Sequence, residues 1–144
     1  MEMMPLPILG EKLLMLIPQR APIVMVSSLE SYDERGLVST FLVSEGNMFV
    51  DGEKLVESGL LEHMAQSVAL HTGYSYFLRG EHAPKGYIGS MQNVEIHGLP
   101  KIGETVFSTI QIIQEFMGVT LVEIETKLEN SVIACARMKT VIAK

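Results

Sequence analysis

The chain has 144 residues, 47% of them apolar, and its 11 Lys and Arg against 17 Asp and Glu leave a formal charge of −6. That length suits a single domain, residues 1–144, with one continuous core, while the acidic balance and lack of any basic run argue against nucleic acid or an anionic membrane surface as partner. No stretch reaches the roughly 18 to 20 unbroken apolar residues of a bilayer span, no basic leader precedes the first apolar run, and the one cysteine, Cys135, has no disulfide partner, so a cytoplasmic protein is expected.

In chain order, Gly10 to Pro18 places Leu13, Leu14, Leu16 and Ile17 opposite Glu11 and Lys12, the pattern of a short helix ended by proline. Two strand-like runs follow, Ile23 to Leu29 and Gly36 to Val43, separated by turn residues and read as an antiparallel hairpin. Ser44 to Lys54, with Gly46, Asn47, Asp51 and Gly52, has loop chemistry. Val56 to Leu78 then contains no proline and suits a helix of about 23 residues, roughly 34 Å long. After a polar loop at 79–86 come four more strand-like runs, Tyr87 to Ile96, Thr105 to Glu115, Val119 to Glu129 and Val132 to Ala143, read as a meander. A long helix that is apolar on most faces must be covered on most faces, and a curved antiparallel sheet of about six strands does that.

The long helix carries one misfit. Glu62 lies in Leu60-Leu61-Glu62-His63-Met64-Ala65-Gln66, where ionising a carboxylate is costly unless it is solvated, paired or used. At 100° per residue, Leu60, Leu61, Met64 and Val68 form one stripe and Gly59, Glu62, Ala65, Gln66, Ala69 and Gly73 the opposite one. Gly59 and Gly73 each cost a helix interior about 1 kcal/mol relative to alanine, so a ligand or a second backbone is expected close to that face. Glu62 and Gln66 are i and i+4, within reach of each other, and apolar surroundings raise a carboxyl toward the range useful for proton transfer. The structural alternative is a buried ion pair of Glu62 with Arg20 or Lys54. His71 falls on the packed side as a core or dimer-interface residue, and no two histidines have metal-ligand spacing, so neither metal nor cofactor is expected.

Two motifs carry a resemblance. Leu16-Ile17-Pro18-Gln19-Arg20-Ala21-Pro22-Ile23-Val24-Met25-Val26 and Glu62-His63-Met64-Ala65-Gln66 resemble the N-terminal and central-helix motifs of the 3-hydroxyacyl-acyl-carrier-protein dehydratases. Phe49-Val50-Asp51-Gly52, Ser58-Gly59, Gly73-Tyr74 and Lys85-Gly86-Tyr87-Ile88-Gly89 are similar to the dehydratase-like branch of aryl polyene and polyketide-type pathways. The resemblance implies an α+β hotdog fold, a sheet wrapped round one long helix with a short N-terminal helix, assembled at least as a dimer. It implies an acyl-carrier-protein or coenzyme A thioester as substrate, in fatty-acid or polyene-type synthesis. It makes Glu62 catalytic and places Phe49, Gly59, Gln66 and Gly89 against the substrate, with Gly89 beside the pantetheine arm.

The chain departs from that family in the loop histidine that removes the α-proton, absent from Phe49 to Leu55, and in Gln19, where the N-terminal motif usually has histidine. Either Glu62 carries out both proton transfers, or Asp51 or His63 replaces the base. Three functions stay open: a 3-hydroxyacyl-thioester dehydratase, a thioesterase, and a non-catalytic acyl-binding subunit of a heterodimer.

Overall fold

The computed structural model describes residues 4–143. Its main sheet has seven strands in the order β1-β2-β3-β7-β8-β9-β6, all neighbours antiparallel: β1 Ile8–Leu9, β2 Ser28–Asp33, β3 Gly36–Leu42, β6 Gly86–Ile96, β7 Thr105–Phe116, β8 Val119–Leu128 and β9 Ser131–Ile142. A small hairpin, β4 Val50–Asp51 with β5 Lys54–Leu55, makes a second sheet. α1 is Gly10–Leu14 and α2 is Glu57–Leu78, 22 residues that lie across the concave face of the main sheet. The fold is the hotdog fold, with α2 as its core helix.

Alternation explains why these strands form this layer. In β7, Val106, Ser108, Ile110 and Ile112 are buried, and in β8, Thr120, Val122, Ile124 and Thr126 are buried, while their neighbours are exposed or half-buried. Each strand thus presents one face to the helix and one to solvent. The β7–β8 turn needs two left-handed residues in succession, supplied by Met117 at φ 51° and Gly118 at φ 79°, the geometry of a tight hairpin turn whose twist matches the strands.

Three sequence expectations are corrected. The last four strands do not form a meander, because β6 crosses to the far edge and pairs with β9 instead of β7. The first hairpin is shifted: β2 starts at Ser28, its turn is tight at Asp33–Gly36, and Ile23 to Ser27 lies outside any strand. The reason lies in the helix. Ile23 C=O accepts from Gln66 Nε2 at 2.7 Å, Met25 N–H donates to Gln66 Oε1 at 2.7 Å, and Met25 C=O bonds to His63 Nδ1 at 2.7 Å. Helix side chains take up the backbone groups a partner strand would have used. The Ser44–Lys54 loop, finally, contains the β4–β5 hairpin, turned at Gly52 with φ 65°.

One edge of the sheet is bare. β6 is exposed along almost its whole length on both faces, including Tyr87, Ile88, Met91 and Val94. Among the described residues no helix is long and apolar enough to cross a membrane.

Candidate active site

Glu62 is the sixth residue of α2 and is half-buried, not enclosed in the core as the apolar sequence around it suggests. Its Oε2 accepts a hydrogen bond from Gln66 Nε2 at 2.8 Å, the expected i, i+4 contact. Among the described residues it forms no ion pair. Arg20 spends Nη1 on the carbonyls of Ile17 and Gln19, and Lys54 is exposed on β5, so the buried-pair alternative is not what this fold builds.

The helix faces divide more finely than the two stripes read from sequence. Gln66 and Gly73 are buried, whereas Glu62, Ala65, Ala69 and Thr72 form a half-buried lane along the open side of α2. The close approach expected at the glycines is real but comes from the protein itself. A Cβ at Gly73 would overlap the carbonyl oxygen of Leu16 and come within 2.8 Å of its carbonyl carbon. A Cβ at Gly59 would lie 2.5 Å from Phe49 Cβ and 3.0 Å from Leu55 Cδ1. Gly59 therefore exists to admit Phe49, which packs against α2 one turn before Glu62 and walls that end of the lane.

Beneath Glu62 lies a polar cluster. His63 is wholly buried; besides the Met25 contact, its Nε2 is 2.8 Å from Ser108 Oγ, which is 2.7 Å from Thr126 Oγ1. A carbonyl can only accept, so Nδ1 bears the hydrogen and Nε2 accepts from Ser108. Phe41 stacks on the ring at 5.8 Å. Ser67 Oγ donates to the carbonyl of His63 at 2.8 Å and lies 2.7 Å from Ser39 Oγ. With both nitrogens engaged and no access to solvent, His63 is not a replacement base. The sequence held a sign of this cluster: Ser39, Ser108 and Thr126 occupy inward strand positions between apolar residues, where a hydroxyl needs a buried partner.

Burial pushes the His63 imidazole from 6.5 down to about 4, against a smaller upward effect of its bond to Met25. The unfolded chain takes up a proton on this ring below about 6.5 and the folded chain does so only near 4, so stability rises with pH across that window. It is complete above pH 6.5 and falls on acidification, by about 3 kcal/mol at pH 4. His71, buried with Nε2 3.0 Å from the carbonyl of Asp33, is shifted down as well and adds in the same direction. Urea unfolding at pH 7.5 and 4.5 is expected to show the loss, and His63→Asn to show a smaller one; an unchanged pH dependence in the variant contradicts the assignment.

The other sequence candidates lie apart. Asp51 is exposed on β4, paired in register with Lys54. Gly89 is exposed at the irregularity between Ile88 and Ser90 in β6, and a Cβ there would meet only Val141 Cγ2, at 3.4 Å, and the carbonyl oxygen of Lys139, at 3.6 Å. Neither is hydrogen-bonded to Glu62 among the described residues. Nor does any group of three His, Cys, Asp or Glu among them offer a metal site.

A sequence model of the ApeP-like family, described as ApeP dehydratase, matches residues 11–143. The chain belongs to the ApeP-like family. The match spans both motifs and the whole of α2, so the dehydratase-like branch indicated by the sequence is the correct one, and dehydratase is the activity the family description carries. No curated protein matches the chain by sequence. Among solved structures, a chain of the dehydratase heterocomplex ApeI:P from Xenorhabdus doucetiae superposes with a TM-score of 0.85 at 17% identity, over 92% of this chain and 91% of that one. Thioesterase superfamily member 2 of zebra fish (TM-score 0.68, 18% identity, 88% of each chain) and the E. coli PaaI protein of the phenylacetic acid degradation operon (0.64, 16%, 78% of this chain and 80% of that one) share the fold.

Proposed function

We propose that this ApeP-like chain dehydrates a 3-hydroxyacyl thioester, carried on acyl carrier protein, to the trans-2-enoyl thioester, with Glu62 as its acid and base. The observation that carries the reading is the half-buried Glu62 carboxylate, one oxygen held by Gln66 and the other without a hydrogen bond among the described residues, at the head of the half-buried lane past Ala65 and Ala69. Elimination needs the C2 proton removed, the C3–O bond broken and the departing hydroxyl protonated. In this mechanism the free Glu62 oxygen takes the C2 proton and delivers it to the hydroxyl, so that water leaves as the double bond forms and the carboxylate is regenerated. Phe49 walls the acyl side of the site and Gly89 lies along the thioester arm. No cofactor enters the balance.

We further propose that the site is completed by a second hotdog subunit, identical or related, paired along β6. An eleven-residue edge strand with apolar side chains bare on both faces is a liability in a lone protomer. The likeness to a chain of a dehydratase heterocomplex favours a related subunit. That subunit is also the natural source of the α-proton base if Glu62 acts only as acid, and Asp51 is the candidate within this chain. Sedimentation is expected to give a dimer or larger at micromolar concentration, and Met91→Lys with Val94→Lys to give monomer. An unchanged assembly in that double variant places the interface elsewhere.

The function is tested by incubating the purified chain with a 3-hydroxyacyl thioester of acyl carrier protein, alone and with a histidine-bearing hotdog subunit, and following the enoyl product. Product from the chain alone supports the single-carboxylate mechanism. Product only from the mixture supports a shared site. Free thiol without enoyl product is thioester hydrolysis and refutes the dehydratase reading.

A further inference from the structure

A core position on a helix has no need of an imidazole. A leucine at position 63 would fill the volume without requiring two linked hydroxyls and a carbonyl to be arranged around its side chain, and buried polar networks are often neutral or costly relative to well-packed apolar ones. Yet His63, Gln66, Ser67, Ser39, Ser108 and Thr126 are all at most 1% exposed; the His63 ring is tied to Ser108 and through it to Thr126, Ser67 bonds the His63 carbonyl and Ser39, and Gln66 bonds Met25, all at 2.7–2.8 Å.

The direction of these bonds shows what the cluster holds. Thr126 and Ser108 fix the ring edge of His63, leaving Nδ1–H to bind the carbonyl of Met25. The same residue gives its N–H to Gln66 Oε1. Met25 is therefore gripped at both backbone groups by two side chains one turn apart on α2. This matters because an amide can turn over. With Oε1 committed to Met25 N–H, Gln66 must aim Nε2 at the carbonyl of Ile23 and at Glu62 Oε2, and all three contacts fit only that orientation. If Met25 shifts, the amide loses the partner that decides which end faces the carboxylate.

We propose that His63 is a positioning residue for Glu62, acting through the backbone of Met25 and the amide of Gln66. The inference rests on the reading of Glu62 as the proton-transfer group. It adds that the site's geometry is set from beneath the helix, by a residue that never meets substrate.

Two replacements separate the halves of the ring. In His63→Asn the amide nitrogen lies where Nδ1 was and keeps the Met25 bond while losing Ser108. In His63→Gln the amide lies where Nε2 was and keeps Ser108 while losing Met25. Both variants are expected to melt below the wild type. Measured well below those melting temperatures, with the partner subunit present if turnover requires it, His63→Gln is expected to lose about tenfold to a hundredfold in kcat with KM little changed, the scale of a displaced catalytic group. His63→Asn is expected to stay within about threefold of wild type, since its link to Met25 persists. Equal kcat in the two variants overturns the proposal and leaves His63 a packing residue.

A second readout needs no substrate. The side-chain amide protons of Gln66, followed by NMR, are expected to exchange slowly in the wild type and in His63→Asn and quickly in His63→Gln. Should His63→Asn fail to fold, Ser108→Ala takes its place, because it too spares the Met25 bond. Loss of turnover in the wild type with the amide pattern as expected refutes the dehydratase reading and keeps the positioning; unaltered Gln66 exchange in His63→Gln refutes the positioning itself.

Discussion

Replacing Glu62 by glutamine is expected to lower kcat for dehydration by roughly 10²- to 10⁴-fold, the usual worth of a positioned acid or base, with the fold intact. The two side chains have the same shape, and glutamine can still present an oxygen to Gln66 Nε2, so the i, i+4 contact survives. What is lost is the capacity to hold and release a proton. Since Glu62 is half-buried and belongs to no ion pair among the described residues, its removal strands no opposite charge, and the melting temperature should move by no more than about 2 °C. The measurement is kcat and KM for a 3-hydroxyacyl thioester beside a calorimetric scan. Full turnover by the variant, alone or in a mixed assembly, removes Glu62 from the chemistry and transfers both proton steps to the second subunit.

The parts of this fold legible in the sequence were those whose signal is local. The long helix was bounded within one residue, because twenty-odd residues without proline between turn-rich segments admit little else. β7, β8 and β9 each appeared within about one residue of their expected ends, because alternation and the turns at 117–118 and 129–130 mark them. The strand order did not appear, since the placement of β6 beside β9 depends on which edge is free after β7 and β8 have paired, and no residue in β6 announces that. Ile23 to Leu29 misled for a related reason. Its β-branched composition is that of a strand, but at Ile23 and Met25 the backbone partners are the side chains of His63 and Gln66, some forty residues away, and the ladder begins only at Ser28.

The site divides along the same line. Glu62 and Gln66 were visible as a helical i, i+4 pair inside an apolar run, and their contact is present. Gly59 and Gly73 are legible in the sequence as points of close approach, but nothing local tells that Phe49 and Leu16 do the approaching. His63 could be seen as turned about 100° from Glu62 but not as the hub of a network, because Ser108 and Thr126 reach it from strands whose register is fixed only by the complete sheet. A catalytic group declares itself by being out of place. The residues that support it are polar only in ways that tertiary structure explains.

Gly73→Ala sets two effects of opposite sign against each other. Helix propensity alone favours alanine by about 1 kcal/mol, so a purely local argument expects a more stable protein. Packing says otherwise. The added Cβ falls on the carbonyl of Leu16, backbone that cannot swing aside like the end of a flexible side chain, in a segment anchored by the buried Leu13, Leu16 and Ile17. Relieving that overlap means displacing either α2 or the segment after α1, and overpacking on this scale costs about 3 kcal/mol or more. Out of a total stability of about 5–15 kcal/mol, the net loss of about 2 kcal/mol or more should lower the melting temperature by roughly 4–8 °C. Ala69→Gly, one turn earlier on the half-buried lane, is the control, expected to cost only the propensity difference of about 1 kcal/mol. If Gly73→Ala melts at or above wild type, the segment at Leu16 yields to the added methyl at little cost. The N-terminal segment that carries Met25 to His63 and Gln66 would then be held by those two side chains rather than by contact with the helix backbone.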